Sequence, residues 1–459
     1  MTAKIRIGTD FWAQSRSHQD VPVIWDETAL SNPHVGVAGT TGAGKTHWIK
    51  RFCMAMPDDV EIDIFDTHGD LGTPGEVDVL FSEATRYGYN PLVLNPDVHF
   101  GGVRRCVADF IEATSATSHK LGEIQAGVLR NLLTDAYAAR GISATNPATW
   151  VRKEITESQA KALMENRDWN AIRECYPHLS DVLSLAKRKL KALWLGVEDQ
   201  GQGRAVMSAF DECSRAMSAL RSAQKKINLA GSYDDVSPMM KRVENSKAKA
   251  IEAFSAYVTG LETGREFEEA IKYNSKDVLI SLITRLENLI AKGVFNPNPP
   301  PFGGARKRRY NLTPMAHSID ELRMFVNYRL KSIIREMKEL GESKRIRRVI
   351  VIDECKNYLD EDPQAPINVI STEMRKFGVM LILSGQSPTH WSQDFIKSAG
   401  TLLLLNLATV DWNDAARKLK IDVADLKYLR PQQTGAIRML EKNRTPSFRR
   451  VEFDQARRA

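Results

Sequence analysis

The sequence contains no C-x-x-C pair. Its five cysteines, Cys53, Cys106, Cys175, Cys213 and Cys355, are scattered along the chain. That spacing argues against a zinc site or a disulfide framework and for a reducing compartment. No apolar run approaches the roughly 18 residues that a membrane helix needs, the stretch around Leu402–Leu405 being far too short. There is no signal-peptide pattern either, so the expectation is a soluble, cytoplasmic protein with no intrinsic membrane segment. Internal repeats are absent. So is a strong charge bias: 64 Lys and Arg against 57 Asp and Glu leave a formal charge of +7. A balance that mild bears on partners only where the charge clusters. What is present is a chain of 459 residues, long enough for two or three domains.

The most specific stretch is Gly39-Thr40-Thr41-Gly42-Ala43-Gly44-Lys45-Thr46, which fits G-x-x-x-x-G-K-[ST]. Its glycines let the backbone turn tightly and aim N–H groups at phosphate oxygens. Lys45 is placed to reach the β- and γ-phosphates, and the Thr46 hydroxyl to ligate Mg²⁺. Val35–Ala38 before it reads as a short buried strand. Trp48, Ile49 and Phe52 after it form a helical apolar stripe, so the anion would meet a helix N-terminus.

Around this loop the pattern divides the chain into four stretches. Residues 1–34 form a short β-rich lead-in, with strands expected at Lys4–Ile7 and Val21–Trp25. Residues 35–144 alternate strands with helices, which predicts a parallel α/β sheet. Strands are expected at Val60–Ile64 and Leu92–Leu94, and a helix at Leu121–Ala138. The strand signal then vanishes. Residues 145–295 carry apolar positions at spacings of three and four, punctuated by Gly231–Asp234, Gly260 and Gly264, and read as an inserted all-α domain with a long helical hairpin. Residues 296–459 return to the core. Prolines mark Asn296–Gly304, and Ser318 with Glu321 has capping-box spacing. Buried parallel strands follow at Val349–Ile352, Val379–Leu383 and Thr401–Leu407, then two tail strands at Thr434–Met439 and Phe448–Phe453.

Val349–Ile352 runs into Asp353-Glu354, the pattern of a Walker B strand. Asp353 is suited to the Mg²⁺ shell, and Glu354 to orienting and deprotonating an attacking water. Asp66, at the end of its own strand, is a poorer candidate. That strand is expected to lie next to the loop strand, and no Glu follows it. Gln386, just past the Leu381–Leu383 run, would sit between the acids and the γ-phosphate; otherwise it is a turn residue. Arg375 and Lys376 precede the same strand. At this stage Arg375 is equally a transition-state cation for a neighbouring subunit or an ordinary helix-end cation. The basic runs Arg306–Arg309 and Lys344–Arg348 suit either nucleic acid or a solvated surface.

With these residues in place, the chain resembles the HerA/FtsK group of ring-forming ATPases, which includes conjugative and type IV secretion ATPases. The resemblance rests on His34-Val35 leading into the phosphate loop, Asp66-Thr67-His68-Gly69-Asp70, Val351–Glu354, and Arg375–Gly378 running through to Gln386-Ser387-Pro388. It implies a RecA-like P-loop core with a parallel-rich sheet, ATP and Mg²⁺ as cofactors, and a hexameric ring. By position it implies that Lys45, Thr46, Asp353, Glu354 and Gln386 form the nucleotide site, with Arg375 as a trans finger. The expected function is an ATP-driven DNA translocase with DNA-stimulated hydrolysis. Two rivals stay open: a conjugative or secretion ATPase, and an ATP-dependent assembly switch for a partner nuclease in an anti-phage complex. Ala43, where serine is common in the group, contributes only backbone to the loop.

Overall fold

The computed structural model describes residues 2–115, 120–199, 201–230, 236–261, 272–273, 275–359, 362–442 and 444–453, with 227–230 as backbone only. The Gly231–Asp234 and Gly264 punctuation therefore lies outside the described residues. Contacts divide the chain into two units, one formed by Met1–Tyr89 with Pro299–Ala459, the other by Asn90–Ser115 with His119–Asn298.

The first unit is built on eleven strands: β1 Lys4–Asp10, β2 Pro22–Asp26, β3 Val35–Ala38, β4 Glu61–Asp66, β5 Val77–Leu80, β6 Lys307–Asn311, β7 Arg348–Ile352, β8 Val379–Gly385, β9 Thr401–Leu404, β10 Thr434–Met439 and β11 Phe448–Glu452. They form one sheet in the order β2-β1-β11-β10-β9-β3-β8-β7-β4-β6-β5. From β9 to β5 every pairing is parallel, while β10, β11, β1 and β2 add antiparallel strands at the other end. Strands β3, β7, β8 and β9 are buried along their whole length, as a sheet covered on both faces requires. By contrast β2 alternates exposed and buried residues along most of its length, the signature of a strand wet on one face. Ile5, Ile7 and Trp25 of the lead-in nevertheless share one core with Val35, Val37, Trp48, Ile49 and Phe52. The aromatic rings fix that packing: Trp48 stacks on Phe52 at 4.9 Å, and Trp25 meets the same ring edge-on at 5.1 Å.

Three sequence expectations need correction. Strand β4 is not beside the loop strand: β3 is flanked by β8 and β9, and β4 pairs with β7 and β6. Leu92–Leu94 is not a strand. Leu92 and Leu94 are buried in alternation, but the Leu92 carbonyl accepts from the Tyr137 hydroxyl at 2.8 Å instead of from a neighbouring strand. Strand β5 went unread because only Val79 of its four residues is buried and it sits on the sheet edge. The helix Ile319–Glu339 forms, with Ser318 at its N-cap, but the Ser318 side chain makes no capping hydrogen bond.

The basic runs also have a different use. Arg308 and Arg309 lie on β6, and Arg348 opens β7, so these guanidiniums face carboxylates across the sheet. Arg348 Nε donates to Asp63 Oδ2 at 2.6 Å and Arg308 Nε to Asp63 Oδ1 at 2.8 Å. Arg348 Nη1 reaches Glu336 at 2.6 Å, which also accepts from Arg329 at 2.6 Å. Burial alone would raise the Asp63 pKa, but Arg348, Arg308 and Arg329 outweigh it and hold the carboxyl at about 2. Replacing Asp63 by Asn leaves buried guanidiniums without their counter-charge. The expected cost is about 3–5 kcal/mol of stability, read as a lower denaturant midpoint. The same group gives a pH signature. Its contribution is present above the ordinary Asp value of about 4 and is lost as pH falls towards 2. An unchanged midpoint for Asp63→Asn at neutral pH would remove this role.

The second unit is helical among its described residues apart from one isolated bridge, Lys153 with Cys175. Helices Val103–Ser115, Glu123–Ala139, Leu179–Leu195 and Lys276–Ala291 pack through faces that include Val107, Phe110, Leu132, Tyr137, Val182, Leu185, Leu282 and Leu286. Two long helices, Gly201–Ala230 and Ser237–Thr259, lie against each other. The 3.3 Å Lys249–Glu212 ion pair and the approach of Gln202 to Gly260 make them antiparallel. In the Lys187-Arg188-Lys189 run, Lys187 pairs with Glu287 at 2.6 Å, while Arg188 and Lys189 share Asp199.

Candidate nucleotide and catalytic site

The loop Gly39–Gly44 follows β3 and is tied to the two strands beside it. Gly39 N–H donates to the Gly385 carbonyl at 3.1 Å, and Thr40 N–H to the Asn406 carbonyl at 2.8 Å. Gly42 and Gly44 take φ of 77° and 101°, a left-handed backbone that a side chain resists. A Cβ on Gly39 would stand 2.9 Å from both Ala43 Cβ and Leu405 Cβ. Helix Lys45–Met54 then starts with no side-chain cap, so its first N–H groups face the loop. Lys45 Nζ bridges that loop, donating to the Gly39 carbonyl at 2.8 Å and the Thr40 carbonyl at 3.3 Å. From the far side, Gln432 N–H donates to the Ala43 carbonyl at 3.2 Å.

The acids gather beside this loop. Asp353 directly follows β7, and its N–H meets the Phe65 carbonyl of β4 at 3.3 Å. Burial pushes its pKa up to about 6, with the neighbouring Glu354 charge acting in the same direction. Oxygens of Asp66, Asp70 and Asp353 lie within 4.8 Å of one another. Thr46 Oγ1 donates to Asp70 Oδ2 at 3.1 Å, adding a hydroxyl to the same cluster. Hard oxygen donors of this kind fit Mg²⁺. Glu354 sits in a left-handed conformation, φ 47° and ψ 52°. Gln386, following β8, donates from Nε2 to Glu354 Oε1 at 3.3 Å. Because β8 runs between β3 and β7, Gln386 emerges between the loop and the two acids.

Asp66 has a separate task. Its Oδ1 accepts from the N–H groups of His68 at 3.0 Å and Gly69 at 2.7 Å, and its Oδ2 from Leu71 N–H at 2.9 Å. Arg309 Nη1 adds a bond at 3.2 Å. The carboxylate thus shapes the 66–71 loop. That loop delivers two residues to which sequence reasoning gave no role, Asp70 beside Thr46 and His68 beside Glu354, where Nε2 lies 3.6 Å from Oε1. The available signal was two acids and a histidine crowded at the end of a buried strand.

Arg375 does not join this group. It is exposed on the short turn Met374–Phe377 that precedes β8, whereas Gln386 follows β8. The strand between them separates the two ends by roughly 20 Å at about 3.3 Å per residue, beyond the reach of one arginine side chain. The adjacent cation, Lys376, lies over the Phe377 ring.

The family model described as the central domain of helicase HerA matches residues 12–296, more than half of the chain. No curated protein matches the sequence. Among solved structures, VirB4 of Thermoanaerobacter pseudethanolicus is similar at 13% identity, with a TM-score of 0.55 over 98% of this chain and 96% of that one. Plasmid coupling protein TrwB, in its complex with ADP and Mg²⁺, gives 13% identity and a TM-score of 0.49 over 99% and 95% of the two chains. At such identity the VirB4 likeness is one of fold, a RecA-like P-loop core on a parallel-rich sheet. Among the described residues no helix is long and apolar enough to cross a membrane.

Proposed function

The chain belongs to the family of the helicase HerA central domain, and from that premise we propose that it is a Mg²⁺-dependent ATPase that assembles as a ring, hexameric by expectation, and moves DNA. The observation that carries the ATPase reading is the convergence of Thr46, Asp353, Glu354 and Gln386 on the phosphate loop from the ends of β3, β7 and β8. Backbone N–H groups of Gly39–Thr46 cradle the phosphates, and Lys45 exchanges its loop carbonyls for phosphate oxygens. Thr46 and Asp353 would hold Mg²⁺, which when bound would neutralise charge on the triphosphate. Glu354 takes the proton from the attacking water, and Gln386 fixes the carboxylate that does so.

The DNA half of the reading draws on the family and not on the basic runs, since Arg308, Arg309 and Arg348 are committed to carboxylates. Lys344 and Arg345 remain exposed for phosphate contact. Binding should be blind to sequence, and its logarithm should fall linearly with the logarithm of salt concentration. Phosphate release is measured with and without duplex and single strands, beside a salt titration of labelled DNA. Stimulated turnover and salt-steep binding are expected. ATP hydrolysis with neither would replace the translocase by an assembly switch. Hydrolysis stimulated only by a protein partner would favour a secretion-type ATPase.

A further inference from the structure

We propose that His68 is a positioning residue for the catalytic carboxylate: together with Gln386 it clamps Oε1 of Glu354 and so leaves Oε2 facing the water to be activated. The inference rests on the ATPase reading above and adds to it a residue from a strand that the reading does not use.

Glu354 needs such a clamp. It is a non-glycine residue in the left-handed region, a conformation that costs of order 1–3 kcal/mol and persists only where the surroundings over-determine it. Its backbone is fixed by the turn it opens, with Asn357 N–H donating to its carbonyl at 3.0 Å. The side chain has several rotamers beyond that point, and only some aim an oxygen at the phosphate loop. Two donors address the same atom, Gln386 Nε2 at 3.3 Å and His68 Nε2 at 3.6 Å, both from Oε1. Among the described residues Oε2 has no hydrogen bond. A carboxylate held through one oxygen and free at the other is oriented as a base.

The ordinary alternative is that His68 is a surface side chain in passing contact. The backbone beneath it speaks against that. His68 N–H and Gly69 N–H both end on Asp66 Oδ1, and Gly69 takes φ +80°. Arg309 reaches both Asp66 and the Gly69 carbonyl. The loop is therefore held at several points, and each of its two polar tips meets a different part of the site: Asp70 meets Thr46, and His68 meets Glu354. The largely exposed imidazole stands 3.6 Å from Oε1, just beyond hydrogen-bond distance, and the clamp requires that gap to close.

The test uses the full chain and steady-state phosphate release. His68→Ala should lower kcat on the order of 10-fold, as losing a supporting contact does, with KM for ATP within about twofold. His68→Gln, which places an amide donor where Nε2 stood, should recover most of the rate. In a Glu354→Gln background His68→Ala should cost nothing further, because there is no longer a base to orient. Unchanged kcat in His68→Ala, a His68→Gln protein as slow as the alanine variant, or an undiminished further loss in the Glu354→Gln background would each overturn the inference. A wild-type chain without ATPase activity would instead overturn the reading it rests on, so the two failures are distinguishable.

Discussion

Glu354→Gln protein is expected to bind ATP with near wild-type affinity and to hydrolyse it about 10²–10⁴-fold more slowly, the range that a general base contributes. The reason is geometric. The Glu354 carboxylate meets Gln386 and His68 and, among the described residues, has no hydrogen bond to the phosphate loop, so the amide spares the groups that bind nucleotide. Gln386 can still bond the amide oxygen. What disappears is the capacity to accept a proton. Lys45→Ala should behave differently, losing affinity and turnover together, because Lys45 is the cation that the loop holds ready through the Gly39 and Thr40 carbonyls. Nucleotide binding followed by calorimetry, beside phosphate release, separates the two patterns. Near-normal turnover in Glu354→Gln would remove Glu354 as the activating residue, and unaltered affinity in Lys45→Ala would remove Lys45 as the phosphate clamp.

Mixing Lys45→Ala and Arg375→Ala proteins, each inactive alone, should restore part of the activity. Removing a cation that neutralises transition-state charge costs on the order of 10³–10⁵ in rate. Arg375 lies at the other end of β8 from Gln386, too far to serve its own site. In the proposed ring the next subunit would meet that sheet end and receive Arg375 into its own site. In an equal mixture roughly one interface in four pairs an intact Lys45 with an intact Arg375 by chance, and those interfaces hydrolyse if the ring closes head to tail. A mixture that stays inactive, with mixed assemblies demonstrated by sizing, would show that Arg375 does not act across the interface. Full activity of Arg375→Ala alone would remove it from the reaction.

Motifs whose chemistry is local were legible in the sequence. The phosphate loop announces itself because only glycine tolerates its backbone, and Asp353-Glu354 because a fully buried strand must end before its acids do. Contacts made across the sheet were not legible. Arg308, Arg309 and Arg348 look like surface charge in a linear reading, and only the β4-β6-β7 pairing brings them onto Asp63 and Asp66. Asp66 looked like a weak Walker B acid because its real partners, the N–H groups of its own loop, leave no mark in side-chain pattern. The position of β4 was misjudged for a related reason. Strand order depends on which crossover connections pack over the sheet, and that information is spread through the helices between strands.

Strand β11 lies between β1 and β10, with Thr9 opposite Glu452 and Gly435 opposite Val451. This has a consequence for biosynthesis. As the chain emerges from the ribosome, the β1–β2 ribbon appears hundreds of residues before β11, the strand that joins it to the sheet. A two-stranded ribbon is marginal alone, and until β11 arrives the apolar side formed by Ile5, Ile7 and Trp25 has nothing to complete its cover. Between the two, the nascent protein carries an open strand edge, a state that invites chaperones or mispairing with other chains. The phosphate loop waits too, since Gln432, which braces Ala43, comes from the same late segment. A half-made chain holds the nucleotide motif without the scaffold that shapes it.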